Sequence, residues 1–181
     1  MIVFITGGAK NGKSSFAQDL AVKLARGGKR YYIATMIPCD EEDQARIRHH
    51  LADRDGLGFE TIEQGRDIAR CLQRADAGGS FLLDSVTALL LNELYPDPRT
   101  WALDESAPER CEKGLLELCG QAANIVLVSD YIYSDAAEYD GETEIFRRGL
   151  ARLDRSLSKI ADTVIEVSAG SRIFLKGRLP E

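Results

Sequence analysis

The feature that most constrains the fold of this chain is a glycine-rich segment that follows the apolar run Ile2–Thr6. It fits the pattern G-x-x-x-x-G-K-[ST] and consists of Gly7, Gly8, Ala9, Lys10, Asn11, Gly12, Lys13 and Ser14. Glycines let a backbone wrap around a phosphate and direct its N–H groups at it. We therefore predict a phosphate-binding loop between a strand and a helix. Lys13 would hold the β- and γ-phosphates of a nucleotide, and Ser14 would bind Mg²⁺.

Short apolar runs alternate with amphipathic stretches of helical length along the rest of the chain. Runs such as Phe81–Asp84 and Ile125–Ser129 do not alternate apolar with polar residues, which is typical of strands buried on both faces of a parallel sheet. The pattern predicts an α/β fold with a doubly wound, mostly parallel sheet. With 181 residues, we expect one nucleotide-binding domain spanning residues 1–181.

Composition disfavours several classes of protein. Lys and Arg number 23 against 29 Asp and Glu, a net charge of −6, and no basic run is present, so nucleic acid is not an expected partner. The apolar run Ala88–Leu91 is too short to cross a bilayer. Four cysteines without C-x-x-C spacing argue against a zinc site and suggest reduced thiols. We expect a cytoplasmic protein without a signal peptide and without membrane association.

A metal-binding acid should follow a buried strand in a protein with such a loop. Asp84 follows one candidate strand and Asp130 follows another, and both strands could neighbour the first. We prefer Asp84 from the local pattern and keep Asp130 as the alternative. Either acid could instead simply cap the turn that follows its strand.

The two histidines are adjacent on a predicted helix. Positions four apart share a helical face, which places His50 between Arg46 and Arg54 and places His49 over Asp53. Two guanidinium groups would form an anion site and favour a neutral imidazole, which can attack phosphorus and form a phosphoramidate. The alternative is a solvated helical face with a surface histidine.

The order of five motifs resembles one enzyme family. G-G-A-x-x-G-K-S, Y-I-A-T, R-I-x-x-H, T-I-E and L-L-D-S-V-T occur in sequence. In this the chain resembles the bifunctional adenosylcobinamide kinase/adenosylcobinamide-phosphate guanylyltransferase family of cobalamin biosynthesis. The similarity is close over residues 1–91, weakens through the middle, and returns at residues 161–167 and 174–176.

The resemblance implies a P-loop NTPase of the RecA-like type that acts in two steps. ATP or GTP would phosphorylate adenosylcobinamide, and GMP would then pass from GTP to that phosphate through a guanylyl-histidine. His50 matches the histidine of R-I-x-x-H, with His49 as the fallback, and Lys13 would assist catalysis. Mg²⁺ would bind Ser14 and Asp84. A homotrimer is also implied, as are nucleotide contacts from residues 7–14, Ile33, Ala34, Thr35, Leu51, Ala52, Asp53, Arg54, Glu63 and Asp84.

Some features leave the function open. The family usually reads N-E-V-G and then G-I-V-P after the fourth strand, where this chain has residues 129–140, and it has N-Q where this chain has Asp154 and Arg155. This divergence leaves the acceptor in doubt. Glu63 could read the ribose or base, or be plain surface. Trp101 and the tyrosines 131, 133 and 139 could line a corrinoid or subunit surface, or be local anchors.

Two other functions fit the same residues. A single-function P-loop kinase would keep Lys13, Ser14 and Asp84 and make His50 a bystander. A non-catalytic nucleotide-binding switch could use the acidic segment 130–144 to contact a partner. Covalent labelling by GTP distinguishes the bifunctional enzyme from both, because neither alternative traps a nucleotide.

Overall fold

The computed structural model describes residues 1–133 and 137–180. Residues 134–136, which belong to the predicted excursion after the fourth strand, and residue 181 lie outside the described residues. The strands are β1 (Ile2–Thr6), β2 (Arg30–Ala34), β3 (Glu60–Glu63), β4 (Ser80–Asp84), β5 (Asn124–Val128), β6 (Thr163–Ser168) and β7 (Ser171–Lys176). The α-helices are α1 (Lys13–Ala25), α2 (Glu41–Asp53), α3 (Val86–Leu94), α4 (Ala107–Gln121) and α5 (Gly141–Ile160).

The strands form one sheet in the order β3-β2-β4-β5-β1-β6-β7. Every neighbouring pair is parallel except β6 and β7, which form an antiparallel pair at the edge. The predicted α/β class with a mostly parallel sheet is confirmed. The two strands that carry the candidate metal-binding acids differ in position, because β5 lies directly beside β1 and separates it from β4.

Burial on both faces explains the continuous apolar runs. In β1, Phe4 packs with the cluster formed by α3, α4 and α5, whereas Val3 and Ile5 pack with Phe16 and Leu20 of α1 on the opposite face. A strand between two helical layers has no solvent face, so alternation is absent. Within the described residues, no helix combines the length and apolar character needed to cross a membrane.

Two predicted helices differ from the interior ones. The segment predicted as a helix over residues 67–75 is a 3₁₀-helix, Ile68–Arg74, in which Ile68 and Cys71 are buried at the three-residue spacing that such a helix aligns. Helix α2 is α-helical, and the Asp40 side chain caps it by accepting a hydrogen bond from the Asp43 N–H at 2.8 Å. It has no buried residue, so it packs on the sheet edge without contributing to the core.

Candidate functional site

The predicted site residues meet at one edge of the sheet. The glycine-rich loop follows β1, Thr35 follows β2, Glu63 ends β3, Asp84 ends β4 and Asp130 comes shortly after β5. These strands are parallel, so their carboxyl ends lie on the same side. Ligands of open parallel sheets bind at this edge.

The loop has a backbone that requires glycine at two positions. Gly7 has a φ of 146°, and a Cβ there would overlap the carbonyl oxygen of Val167. Gly12 has a φ of 87° and immediately precedes α1. The Asn11 side-chain amide donates a hydrogen bond to the same Val167 carbonyl. The loop is thereby fixed against β6, and the first N–H groups of α1 are left to bind an anion.

Lys13 is buried within the loop, with 5% of its surface exposed. Its Nζ donates to the Gly8 carbonyl at 2.6 Å and lies 2.7 Å from Oδ1 of Asp130. The carboxylate of Asp84 instead accepts a hydrogen bond from the Tyr32 hydroxyl at 3.0 Å. The two acids that the sequence left as alternatives therefore have different partners in the structure.

A cavity of about 570 Å³ lies between α2 and the ends of β2, β3 and β4. This volume is in the range of cavities that hold small ligands. Residues predicted from distant parts of the sequence line it together: Ala34, His50, Leu51, Arg54, Glu63 and Asp84.

Arg54 is a buried cation in the wall of this cavity. Its guanidinium donates to the His50 carbonyl at 3.0 Å and to Oγ1 of Thr61 at 3.2 Å, and it lies 4.0 Å above the Tyr32 ring. Burial, together with the neighbouring Asp84 carboxylate, raises the pKa of Tyr32 well above its usual value. The Tyr32 hydroxyl is therefore protonated and acts as donor to Asp84. Arg54 and Asp84 are joined through one tyrosine.

The two histidines have different surroundings. His50 lines the cavity, and its Nδ1 is buried without a hydrogen-bond partner in the described parts of the chain. His49 is exposed, and its Nε2 lies 3.5 Å from the Asp53 carboxylate, as the helical spacing predicted. The arrangement supports His50 rather than His49 as the reactive residue.

Arg46 does not flank His50 in the way that the helical stripe predicted. Its guanidinium lies 3.7 Å from Glu42 and 3.9 Å from Asp43, and Arg48 lines the cavity instead. The inner face of α2 is the one that carries Ile47 and Leu51. These two apolar side chains were the sequence signal that could have identified this face.

Several predicted nucleotide contacts do not place a side chain in the cavity. Ile33 is buried in the core, and Ala52 is exposed. The Thr35 hydroxyl bonds to both the N–H and the C=O of Ser85, and Asp53 faces His49. Any nucleotide contact from Ile33 would have to come from its main chain. Tyr32, which the sequence analysis did not single out, contributes more to the site than these four residues do.

The divergent segment at residues 129–133 is bonded to α5. The Ser129 and Tyr133 hydroxyls each donate to the Asp154 carboxylate, both at 2.8 Å. Burial is the main cause that raises the pKa of Asp154, to about 6, and the charge of Asp130 adds to it, while the two hydroxyl bonds oppose it. The Tyr131 hydroxyl donates to Glu166 at 2.8 Å. Side chains on both sides of Asp130 are therefore held in place.

Trp101 is the large aromatic residue of the excursion between α3 and α4. Its ring lies 5.9 Å from that of Tyr95, whose hydroxyl donates to Glu142 at 3.0 Å. Trp101 remains 57% exposed. The contact with Tyr95 matches a local anchor, and the exposed remainder leaves room for a ligand or subunit.

Comparison with known proteins identifies similar sequences over the whole domain. The sequence model of the cobinamide kinase / cobinamide phosphate guanyltransferase family matches residues 3–175. The bifunctional adenosylcobalamin biosynthesis protein CobU of Salmonella typhimurium is 29% identical, with 97% of this chain and 100% of the relative aligned. The bifunctional protein CobP of Pseudomonas aeruginosa is 35% identical over 70% of this chain and 69% of the relative.

Solved structures show the fold alone. A helicase ATPase domain covers 98% of this chain and 77% of its own, with a TM-score of 0.54 at 12% identity. The sheet described above and this likeness together confirm the predicted P-loop NTPase fold.

Proposed function

The chain belongs to the cobinamide kinase / cobinamide phosphate guanyltransferase family, and we propose that it performs both reactions on adenosylcobinamide. A nucleoside triphosphate first phosphorylates the corrinoid side-chain hydroxyl, and GMP from GTP is then joined to that phosphate. The observation that carries the proposal is the convergence of His50, Arg54, Glu63 and Asp84 on one cavity. Their separation in sequence makes a chance assembly on a surface unlikely to produce this set.

The kinase half uses the phosphate loop. Loop N–H groups and the N-terminus of α1 bind the phosphates, and Lys13 neutralises charge that develops at the β–γ bridge. Ser14 and Asp84 offer hydroxyl and carboxylate oxygens, the ligands that Mg²⁺ prefers. Mg²⁺ is usually held by one or two protein groups together with substrate phosphates, so these two residues fit it. When bound, the ion supplies charge neutralisation on the phosphate oxygens.

The transferase half uses His50. A ring nitrogen attacks the α-phosphorus of GTP, a nitrogen–phosphorus bond forms, and the bond to the bridging oxygen breaks as pyrophosphate leaves. A phosphate oxygen of the acceptor then attacks the same phosphorus, and the imidazole leaves with its electron pair. Arg54 and Arg48 bring positive charge to the cavity wall, where negative charge develops in both steps. Glu63, at the same wall, is the proposed contact for the ribose or base.

Intact mass spectrometry tests the transferase half directly. The protein is incubated with Mg²⁺ and GTP, and the mass of a GMP adduct is sought in the unaltered chain, in His50→Ala and in His49→Ala. We expect the adduct in the unaltered chain and in His49→Ala and its absence in His50→Ala. Bound GTP without any adduct would contradict the proposal and leave the single-function kinase as the better description.

The remaining expectations are also proposals. The corrinoid acceptor follows from the family, and a homotrimer and a cytoplasmic location follow from the resemblance and from the thiol content. The four cysteines are free thiols in the structure. Edge strand β7 exposes the apolar residues Ile173, Phe174 and Leu175, which supports contact with another subunit.

A further inference from the structure

We propose that Asp130 is the general base of the phosphoryl-transfer step, the group that takes the proton from the acceptor hydroxyl. The inference rests on the proposed kinase function. It begins from the contact between Oδ1 of Asp130 and Nζ of Lys13, at 2.7 Å. A lysine in this motif binds the β- and γ-phosphates, so a carboxylate in contact with it lies beside the place of the transferred group.

Exposure gives Asp130 access to an acceptor. Lys13 is 5% exposed, whereas the Asp130 side chain is 31% exposed. The carboxylate therefore stands between the buried lysine and solvent, on the side from which a large acceptor must approach. An in-line attack requires the acceptor hydroxyl beyond the γ-phosphate, and this is the side on which Asp130 lies.

The main chain around Asp130 is fixed, while its side chain is not. The Asp130 N–H donates to Oγ1 of Thr87 at 2.9 Å, and Ser129 and Tyr133 are both bonded to the buried Asp154. When a triphosphate becomes the partner of Lys13, the carboxylate loses its ion pair. Rotation of the side chain alone is then enough to bring it to the acceptor hydroxyl. Ser129, Tyr133 and Asp154 act as positioning residues.

Asp84 is placed for a different task. One of its carboxylate oxygens accepts the Tyr32 hydroxyl, and the residue lines the His50 cavity. Its strand is also one position further from β1 than β5 is. The two acids left as alternatives by the sequence thus divide the work: Asp84 serves the metal, and Asp130 serves the proton.

The proposed step balances as follows. The acceptor oxygen forms a bond to the γ-phosphorus while the bond from that phosphorus to the β–γ bridging oxygen breaks. The hydroxyl proton passes to the Asp130 carboxylate, and the nucleoside diphosphate leaves with its electron pair. The protonated carboxyl then returns its proton to solvent, with which it is in contact.

Steady-state phosphorylation of cobinamide by ATP tests the assignment, with Asp130→Asn, Asp130→Glu and the control Glu166→Gln. Loss of a general base lowers kcat by about 100-fold or more, and we expect this in Asp130→Asn. The KM for ATP should not rise, because the variant removes the competitor for Lys13, and half-saturation by Mg²⁺ should stay the same. Asp130→Glu should recover kcat to within about tenfold of the unaltered chain.

Glu166 is a matched control because it bonds Tyr131 in the same segment and does not contact Lys13. Its Gln variant should keep the unaltered kcat. The guanylyl adduct on His50 reports that each variant is folded. An unchanged kcat in Asp130→Asn overturns the inference, and so does a rise in the Mg²⁺ requirement, which would make Asp130 a metal ligand. Absence of phosphorylation by the unaltered chain overturns the kinase half itself, and the base with it.

Discussion

At the scale of single residues, Asp154 links the protonation of the molecule to its stability. Its carboxyl is buried, and its pKa is raised from 3.8 to about 6. The folded state therefore binds more protons than the unfolded state between these values, and the free energy of unfolding falls as the pH rises from about 4 to about 6. The full effect is about 3 kcal/mol, reached above the folded pKa.

The variant Asp154→Asn should remove this pH dependence, because the amide does not titrate. The measurement is urea unfolding from pH 4 to pH 7, with Asp19→Asn as a control at an exposed acid on α1. We expect the unaltered chain and the control to lose stability as the pH rises, by an amount that the Asp154 variant does not lose. Parallel curves for all three proteins would show that Asp154 does not carry the effect.

Gly7 and Gly8 are neighbours with different structural demands. A Cβ at Gly7 would overlap the Val167 carbonyl at a φ of 146°, whereas a Cβ at Gly8 would meet nothing within 4 Å. Gly7→Ala should lower the free energy of unfolding by about 2–3 kcal/mol. Gly8→Ala should change it by less than about 0.5 kcal/mol. Thermal or urea unfolding of both variants decides this, and equal losses would contradict the described loop.

At the scale of elements, α2 is held to the sheet mainly by its last turn. It buries no residue, and Arg54 connects its end to Thr61 on β3 and to Tyr32 on β2. Removing a buried group with these contacts costs about 1–3 kcal/mol. The helix should then open more often, and His50 with it.

The matched test of α2 compares Arg54→Ala with Arg46→Ala. Arg46 lies on the same helix and has only exposed pairs with Glu42 and Asp43, which are worth less than about 1 kcal/mol. Hydrogen exchange of the α2 amides should be faster in the Arg54 variant alone, and its guanylyl-adduct rate should fall by at least tenfold, a change of about 1.4 kcal/mol. Similar exchange in both variants would show that Arg54 does not anchor the helix.

The elements also show how far the sequence reaches. Strands β1, β4 and β5 could be predicted because continuous apolar runs have a physical cause, burial on both faces. The phosphate loop could be predicted because its chemistry requires fixed residues. The outward position of Arg46 could not, since helical spacing defines which residues share a face but does not say which face meets the sheet.

At the scale of the whole molecule, strand order determines which acid meets Lys13. Local sequence around Asp84 and Asp130 is similar in character, and no local rule places β5 next to β1. Only the pairing of Ile2 with Ile125 and its neighbours brings Asp130 to the lysine. This long-range pairing is the reason that the sequence left the two acids as alternatives.

The sheet also ends in an exposed apolar strand. Long apolar edges of this kind associate unless something covers or blocks them, and β7 exposes Phe174 on its surface. Phe174→Glu should shift the protein from an oligomer to a monomer in light scattering coupled to gel filtration. Leu116→Glu, at a similarly exposed site on α4, should leave the oligomer intact. A monomeric unaltered chain would contradict the proposed assembly.

The contact between Lys13 and Asp130 has a consequence for selectivity and turnover. An empty loop whose cation is already neutralised has little attraction for monovalent anions or inorganic phosphate. Only a ligand with several negative charges displaces the carboxylate, so triphosphates gain an advantage over the more abundant small anions. After transfer, the departing diphosphate has lost one charged group, and the returning carboxylate competes with it. The same ion pair therefore sets a threshold for entry and hastens release.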